Sequence, residues 1–291
     1  MSRPLPICYL NGTCLPLEQA RVSPLDRAFL FGDAVYEVIP VYGGRPFRLR
    51  EHLHRLDRSL AGIRMPPPLS HGEWAAVCAD LLARNGAGDA YLYLQVTRGA
   101  EHGRSHSWPD GLRPTLFAYA SELEPLAGKL VEEGVSAVTA EDTRWARRDI
   151  KSTALLANVL LKRLAVDAGA FETILLEDGA LTEGSSTTVH VVKDGILRTP
   201  PNGRHILPGT TRDVVTELAA RMGLPSASEA VPEALLREAD EIWLAFSTRG
   251  VLPVTRLDGR PVGGGRPGPW YARMHAAFLA YIRELAGTPA L

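Results

Sequence analysis

The stretch from Arg144 to Asn158, RWARRDIKSTALLAN, holds the residue on which the reading of the whole chain turns. Only four of the 32 basic residues are lysine, and position 151 is one of them. For solubility and surface ion pairs arginine and lysine serve nearly alike, so a lysine kept in so arginine-rich a chain suggests work for a primary amine. A guanidinium stays protonated at any pH a protein tolerates, whereas an amine can lose its proton and attack a carbonyl. The pattern places Lys151 after a strand and just before a helix expected over about 153–168. The positive end of that helix, with Arg144, Arg147 and Arg148 close in sequence, is expected to favour the neutral amine. A plain surface lysine near a helix start is the competing reading of this residue taken alone.

Towards the amino terminus, ICYL and TCLPL flank Asn11-Gly12, and AVYEVIPVY and RPFRL flank Gly43-Gly44, which reads as two hairpins. In REHLHRLDRSLAGI, Leu53, Leu56, Leu60 and Ile63 fall three and four apart, giving one buried helical stripe. A second helix starts at Ser70, whose relation to Glu73 is a capping box, and ends near Asn85-Gly86. Strands DAYLYLQVT and RPTLFAYA flank a loop from Arg98 to Arg113. Pro125 and Gly128 mark a boundary. A smaller α+β domain is therefore expected over 1–120, a linker over 121–128 and a larger domain over 129–291. In the larger one GVSAVTAE, ETILLE and EIWLAFS read as strands. Helices start near Gly209 and Pro232, and a last amphipathic helix runs over about 270–285. The class is α/β with α+β, in two domains.

Acidic residues number 33 against the 32 basic ones, so no net charge draws nucleic acid or an anionic membrane, and a small-molecule partner is the default. Cys8, Cys14 and Cys78 are odd in number and form no CxxC pair, which fits a reducing cytoplasm rather than a disulfide framework. The opening MSRPLPICYLNGT lacks a signal-like apolar core, and no uncharged apolar run approaches the roughly eighteen residues of a membrane span. A soluble cytoplasmic protein is expected. His52 and His54, two apart on a helix, face different directions, so no metal pair is expected there and none elsewhere.

An imine-forming lysine calls for a carbonyl cofactor. Pyridoxal 5'-phosphate would need a phosphate anchor and a partner for its ring nitrogen. Gly209, Thr210 and Thr211 open a helix, where free backbone N–H groups and two hydroxyls can hold a phosphate. Glu183, between a turn and a strand, can aim a carboxylate at a ring nitrogen. Taken singly, the first is a threonine cap and the second a loop glutamate.

Seven short motifs then stand in order: DRAFLFGDAVYEV (26–38), EHLHRL (51–56), QVTRG (95–99), R-S-H (104–106), DIKS (149–152), LTEGSS (181–186) and LPGTTR (207–212). With them the chain resembles, over nearly its whole length, the fold-type IV pyridoxal phosphate aminotransferases, and within these the D-amino acid aminotransferases. The resemblance implies a two-domain fold with the cofactor in the cleft between domains, and Lys151 as the Schiff-base lysine. It further implies that Glu183 partners the pyridine nitrogen and that Arg55 holds the phosphate with Thr210 and Thr211, helped by Ser247 and Thr248. On periodicity alone Arg55, off the leucine stripe, would be a solvated helix residue. Tyr36, Arg104 and His106 would grip the substrate carboxylate, the last two reaching in from the other subunit of a homodimer. Two residues apart in an extended loop, Arg104 and His106 can converge on one anion.

The implied reaction moves the amino group of a D-amino acid such as D-alanine to a 2-oxo acid such as 2-oxoglutarate, by ping-pong kinetics. The R-S-H loop argues against the same-fold alternatives: branched-chain L-amino acid or (R)-amine transamination and aminodeoxychorismate lysis. A silent cofactor-binding protein is a further alternative. Thr187 and Thr188 depart from a family pattern that often carries Asn after TEGSS, and Arg249 in STRG has no role assigned.

Overall fold

The computed structural model describes residues 3–124 and 126–287; Pro125, in the segment expected as a linker, and residues 1, 2 and 288–291 lie outside them. Two units organise the chain. The first extends to Glu124 and takes in Ile150–Ala154; the second holds the rest up to Glu284.

In the first unit, strands β1 (Pro4–Leu10), β2 (Thr13–Pro16), β3 (Ala34–Tyr42), β4 (Arg45–Pro46), β5 (Ala90–Thr97) and β6 (Thr115–Glu122) form one antiparallel sheet in the order β2-β1-β6-β5-β3-β4. The expected hairpin turns are there, with positive φ at Asn11, Gly12, Gly43 and Gly44. A short helix, α1 (Arg27–Phe31), precedes β3. Burial alternates along β5, as it must where one face meets a core and the other does not. That core is filled by Val35, Ile39, Leu92 and Leu94 of the sheet with Leu53, Leu56 and Leu60 of α2 (Leu49–Gly62) and Trp74 and Leu81 of α3 (His71–Asn85). The Ser70–Glu73 capping box opens α3 as expected.

One edge of β3 is covered in two pieces. β4 pairs with its far end at Val41 and Tyr42. At its start Tyr36 N–H donates to Lys151 O and Thr153 N–H to Ala34 O, each at 3.0 Å, with a β-bridge between Val35 and Ser152. This pairing corrects the expected helix start. Thr153 spends its N–H on a strand, so the helix that follows, Leu156–Asp167, begins about three residues late. Gly32, at φ 67°, permits the close approach, since a Cβ there would stand 3.2 Å from that of Ala154.

The second unit contains α4 (Gly128–Glu132), α5 (Leu156–Asp167), α6 (Thr210–Arg221), α7 (Glu233–Arg237) and most of α8 (Pro269–Gly287). Its strands are β7 (Val135–Glu141), β8 (Glu172–Glu177), β9 (Ala180–Gly184), β10 (Thr188–Lys193), β11 (Ile196–Thr199), β12 (Ser226–Ser228), β13 (Glu241–Phe246), β14 (Gly250–Leu257) and β15 (Arg260–Pro261). They run β12-β11-β10-β13-β14-β7-β8-β9, with β15 on β14. The sheet is mixed: β7 is parallel to both β14 and β8, and the β10–β13–β14 meander is antiparallel. β10 and β13 are buried at almost every position, the mark of strands covered on both faces. Among the described residues no helix is long and apolar enough to cross a membrane.

Candidate active site

In the first unit β3 points Tyr36 and Glu37 to opposite faces, because side chains alternate along a strand. Glu37 is fully buried. Its Oε1 accepts from Arg55 Nε and its Oε2 from Arg55 Nη2, both at 2.7 Å, and Oε2 also lies 2.7 Å from His52 Nδ1. Besides its leucines, α2 thus buries a polar stripe of His52, Arg55 and Ser59, and Arg55 is 3% exposed rather than solvated as periodicity alone would have it. Burial would raise the Glu37 pKa, but the Arg55 charge and the hydrogen bonds from Arg55 and His52 outweigh it and bring it down from 4.5 to about 2. Burial holds the His52 pKa below the ordinary value against the pull of Glu37.

On the other face the Tyr36 ring stacks on Tyr93, centroids 5.5 Å apart, and Lys151 Nζ stands 4.4 Å from the Tyr36 centroid. Ser59 Oγ accepts the Lys151 N–H at 3.1 Å. The lysine is therefore pinned on both sides of its backbone, to α2 and to β3. Arg104 and His106 lie in an exposed loop against Phe31, 5.0 Å and 5.6 Å from its ring centroid. Arg27 ties that loop down: Nη1 donates to Ser105 O at 2.8 Å and Nη2 to His106 O at 3.3 Å, while its guanidinium also pairs with Glu101 and Asp33. Among the described residues no hydrogen bond, ion pair or ring contact joins Tyr36 to Arg104 or His106.

In the second unit Glu183 lies near the end of β9, buried. Arg144 Nη1 donates to its Oε1 at 2.5 Å, and Leu207 N–H reaches Oε2 at 3.3 Å. Burial raises the Glu183 pKa, with Arg144 and the Leu207 N–H opposing. Arg144 is itself held by Asp142, Nη2 to Oδ2 at 2.6 Å. Arg147 pairs with Asp149 and Arg148 with Glu177. Each arginine of RWARRD thus has a carboxylate partner, and the helix expected from about 153 begins at Leu156.

α6 opens on Gly209, which carries no side chain to cap it, followed by the buried Thr210 and Thr211. A Cβ at Gly209 would fall 2.7 Å from Thr188 Oγ1. Thr188, one of the departures from the family pattern, therefore seats the start of α6 on β10. The neighbouring Thr187 hydroxyl is buried with no hydrogen-bond partner among the described residues. Ser185 and Ser186 donate to the buried Glu172. Ser247 and Thr248 sit half-buried in the turn between β13 and β14, and the Arg249 guanidinium lies 5.9 Å from the Phe171 centroid.

Residues 34–257 match the family model described as Amino-transferase class IV. The chain belongs to the class IV aminotransferases. D-alanine aminotransferase of Bacillus licheniformis is 42% identical to it over 279 residues, 96% of this chain and 98% of that one. The structure superposes on branched-chain amino acid aminotransferase of Escherichia coli with a TM-score of 0.89 at 29% identity, covering 96% of this chain and 95% of the other. It superposes with a TM-score of 0.88 at 28% identity on a T.th. branched-chain amino acid aminotransferase solved with pyridoxamine 5'-phosphate, covering 96% of this chain and 95% of that one. The contacts of Glu37 with Arg55 and His52, of Arg144 with Glu183 and of Arg27 with the 104–106 loop were not read from the sequence. For Glu37 a signal existed, a lone acid inside the apolar run AVYEVIPVY. For Arg144 none did, because its partner Glu183 lies 39 positions away.

Proposed function

We propose that this chain transfers the amino group of a D-amino acid such as D-alanine to a 2-oxo acid such as 2-oxoglutarate, with pyridoxal 5'-phosphate, as a cytoplasmic homodimer. The observation that carries the choice of substrate is the full-length likeness to D-alanine aminotransferase at 42% identity, against 29% for the branched-chain enzyme. Backbone superposition does not discriminate, because it reports the scaffold that the family shares.

The residues present fit the cofactor. α6 opens at Gly209 with no side-chain cap, Glu183 is a buried carboxyl held by Arg144, and Lys151 is a primary amine on a fixed backbone. When bound, pyridoxal 5'-phosphate supplies an electron sink conjugated to the substrate Cα. Lys151 Nζ would be the covalent attachment point and the base that takes the Cα proton. Glu183 holds a proton at the ring nitrogen. Gly209, Thr210 and Thr211 would offer donors to the phosphate, and the family resemblance assigns Arg55, Ser247 and Thr248 to the same group. Tyr36, Arg104 and His106 bind the substrate carboxylate, and thereby decide which Cα substituent faces Lys151.

An uncovered apolar stripe on α5 supports the homodimer: Leu156, Val159, Leu160 and Leu164, on one side of the helix, are 48–73% exposed. The free Cys8, Cys14 and Cys78 agree with a reducing compartment. Steady-state kinetics with D-alanine and L-leucine as donors to 2-oxoglutarate test the reading. D-Alanine is expected to be the better donor, and preference for L-leucine would replace the substrate assignment with the branched-chain one. Lys151→Ala should lower turnover at least ~10²–10⁴-fold. Arg104→Ala and His106→Ala should each raise KM for the amino acid by roughly ten- to a hundredfold, the value of a charged hydrogen bond.

A further inference from the structure

His54, Asp57 and His71 stand together, apart from every residue assigned above. Their donor atoms all lie within 4.8 Å of one another. His71 Nε2 is 2.7 Å from Asp57 Oδ2, and the rings of His54 and His71 meet edge to face with centroids 4.7 Å apart. His54 and Asp57 are three apart on α2 and so share a face. His71 is the first residue of α3, at an end that the Ser70–Glu73 capping box fixes. His52 and His54, two apart on α2, do diverge: His52 turns inward to Glu37 while His54 is exposed and meets His71. Asp57 and His71 are each 34% exposed, so solvent reaches the group.

We propose that His54, Asp57 and His71 form a binding site for a divalent late-transition ion, with zinc the best match. Two imidazoles and one carboxylate are borderline donors that suit zinc, whereas magnesium and calcium want oxygen alone. Zinc sits about 2.0–2.2 Å from such ligands, which puts neighbouring donors of a tetrahedron roughly 3.3 Å apart. The present spacing needs only small changes to reach that. The His71–Asp57 contact opens once Nε2 turns a lone pair to the ion in place of a proton, and the exposed His54 ring closes the widest gap by rotating. A water completes the fourth position. Such an ion ties α2 to α3 across the connection that contains Pro66, Pro67 and Pro68, and α2 is the helix that presents His52 and Arg55 to Glu37. The site would therefore stiffen the first unit without touching the reacting atoms.

The test uses tag-free holoenzyme, freed of adventitious metal with a chelator and titrated with zinc chloride by calorimetry, beside melting curves with and without zinc. One zinc per chain is expected, together with a rise in melting temperature that magnesium does not produce. His54→Ala and His71→Ala should each weaken binding on the order of tenfold or more and abolish the thermal shift. Asp57→Asn, which keeps the side-chain volume, should weaken it as well. Absence of stoichiometric zinc in the wild type overturns the proposal. So does zinc binding that all three variants retain, since the ion would then be held elsewhere, for example at a cysteine.

Discussion

A carboxylate buried as completely as Glu37 keeps its charge only where cations meet it, and Arg55 meets it through two hydrogen bonds while His52 supplies a third contact. Glu37→Gln leaves the Arg55 guanidinium buried against a neutral amide. We expect a loss of about 3–5 kcal/mol in stability, read from chemical denaturation, and a weaker grip on pyridoxal phosphate, read by titrating the apoenzyme. Unchanged cofactor affinity would mean that Glu37 serves folding alone. The sign of the pH effect follows from a folded pKa depressed to about 2. Glu37 contributes its full stabilisation above about 4.5, and the contribution is lost as pH falls from there towards 2. Glu37→Gln should therefore flatten the acid limb of a stability–pH curve. At this scale Lys151 and Glu183, the residues proposed for the chemistry, were singled out from the sequence by residue type and motif. The residues that hold them in place were not, because Arg144 becomes Glu183's partner only once β9 lies beside the loop after β7.

The elements show the same division for a different reason. Hairpins at Asn11-Gly12 and Gly43-Gly44 and the capped start of α3 are written in adjacent residues, so local chemistry suffices to find them. The start of α5 is not local. Residues 153–155 have helical neighbours, yet the Thr153 N–H is taken by Ala34, more than a hundred positions away, and the helix waits until Leu156. α2 likewise hides a polar stripe behind its leucines, visible only when β3 supplies Glu37. α5 also carries the prediction that belongs to elements. Leu160→Glu places a charge in the exposed apolar stripe and, if the proposed homodimer forms there, should leave a monomer in light scattering and lower turnover. A variant that stays dimeric at micromolar concentration would move the interface to another face.

For the molecule as a whole, composition and patterning indicated two α/β or α+β units and a small-molecule partner. They did not indicate the sheet orders. Pairings such as β1 with β6 and β14 with β7 join segments far apart in the chain and have no signature within either strand. A tightly bound cofactor should contribute to global stability by mass action, about 2.7 kcal/mol at a free concentration a hundred times its dissociation constant. Stripping pyridoxal phosphate is therefore expected to lower the melting temperature by several degrees, with full recovery on adding it back to the wild type and incomplete recovery in Lys151→Ala. Equal recovery in both would show that the lysine adds nothing to retention.

The edge of β3 stays half open until residues 150–154 arrive to cover it. During synthesis, at ~5–20 residues per second, that wait is on the order of ten seconds after Tyr36 is made. The nascent amino-terminal sheet spends it with unsatisfied backbone donors, which is when a chaperone would have most to protect.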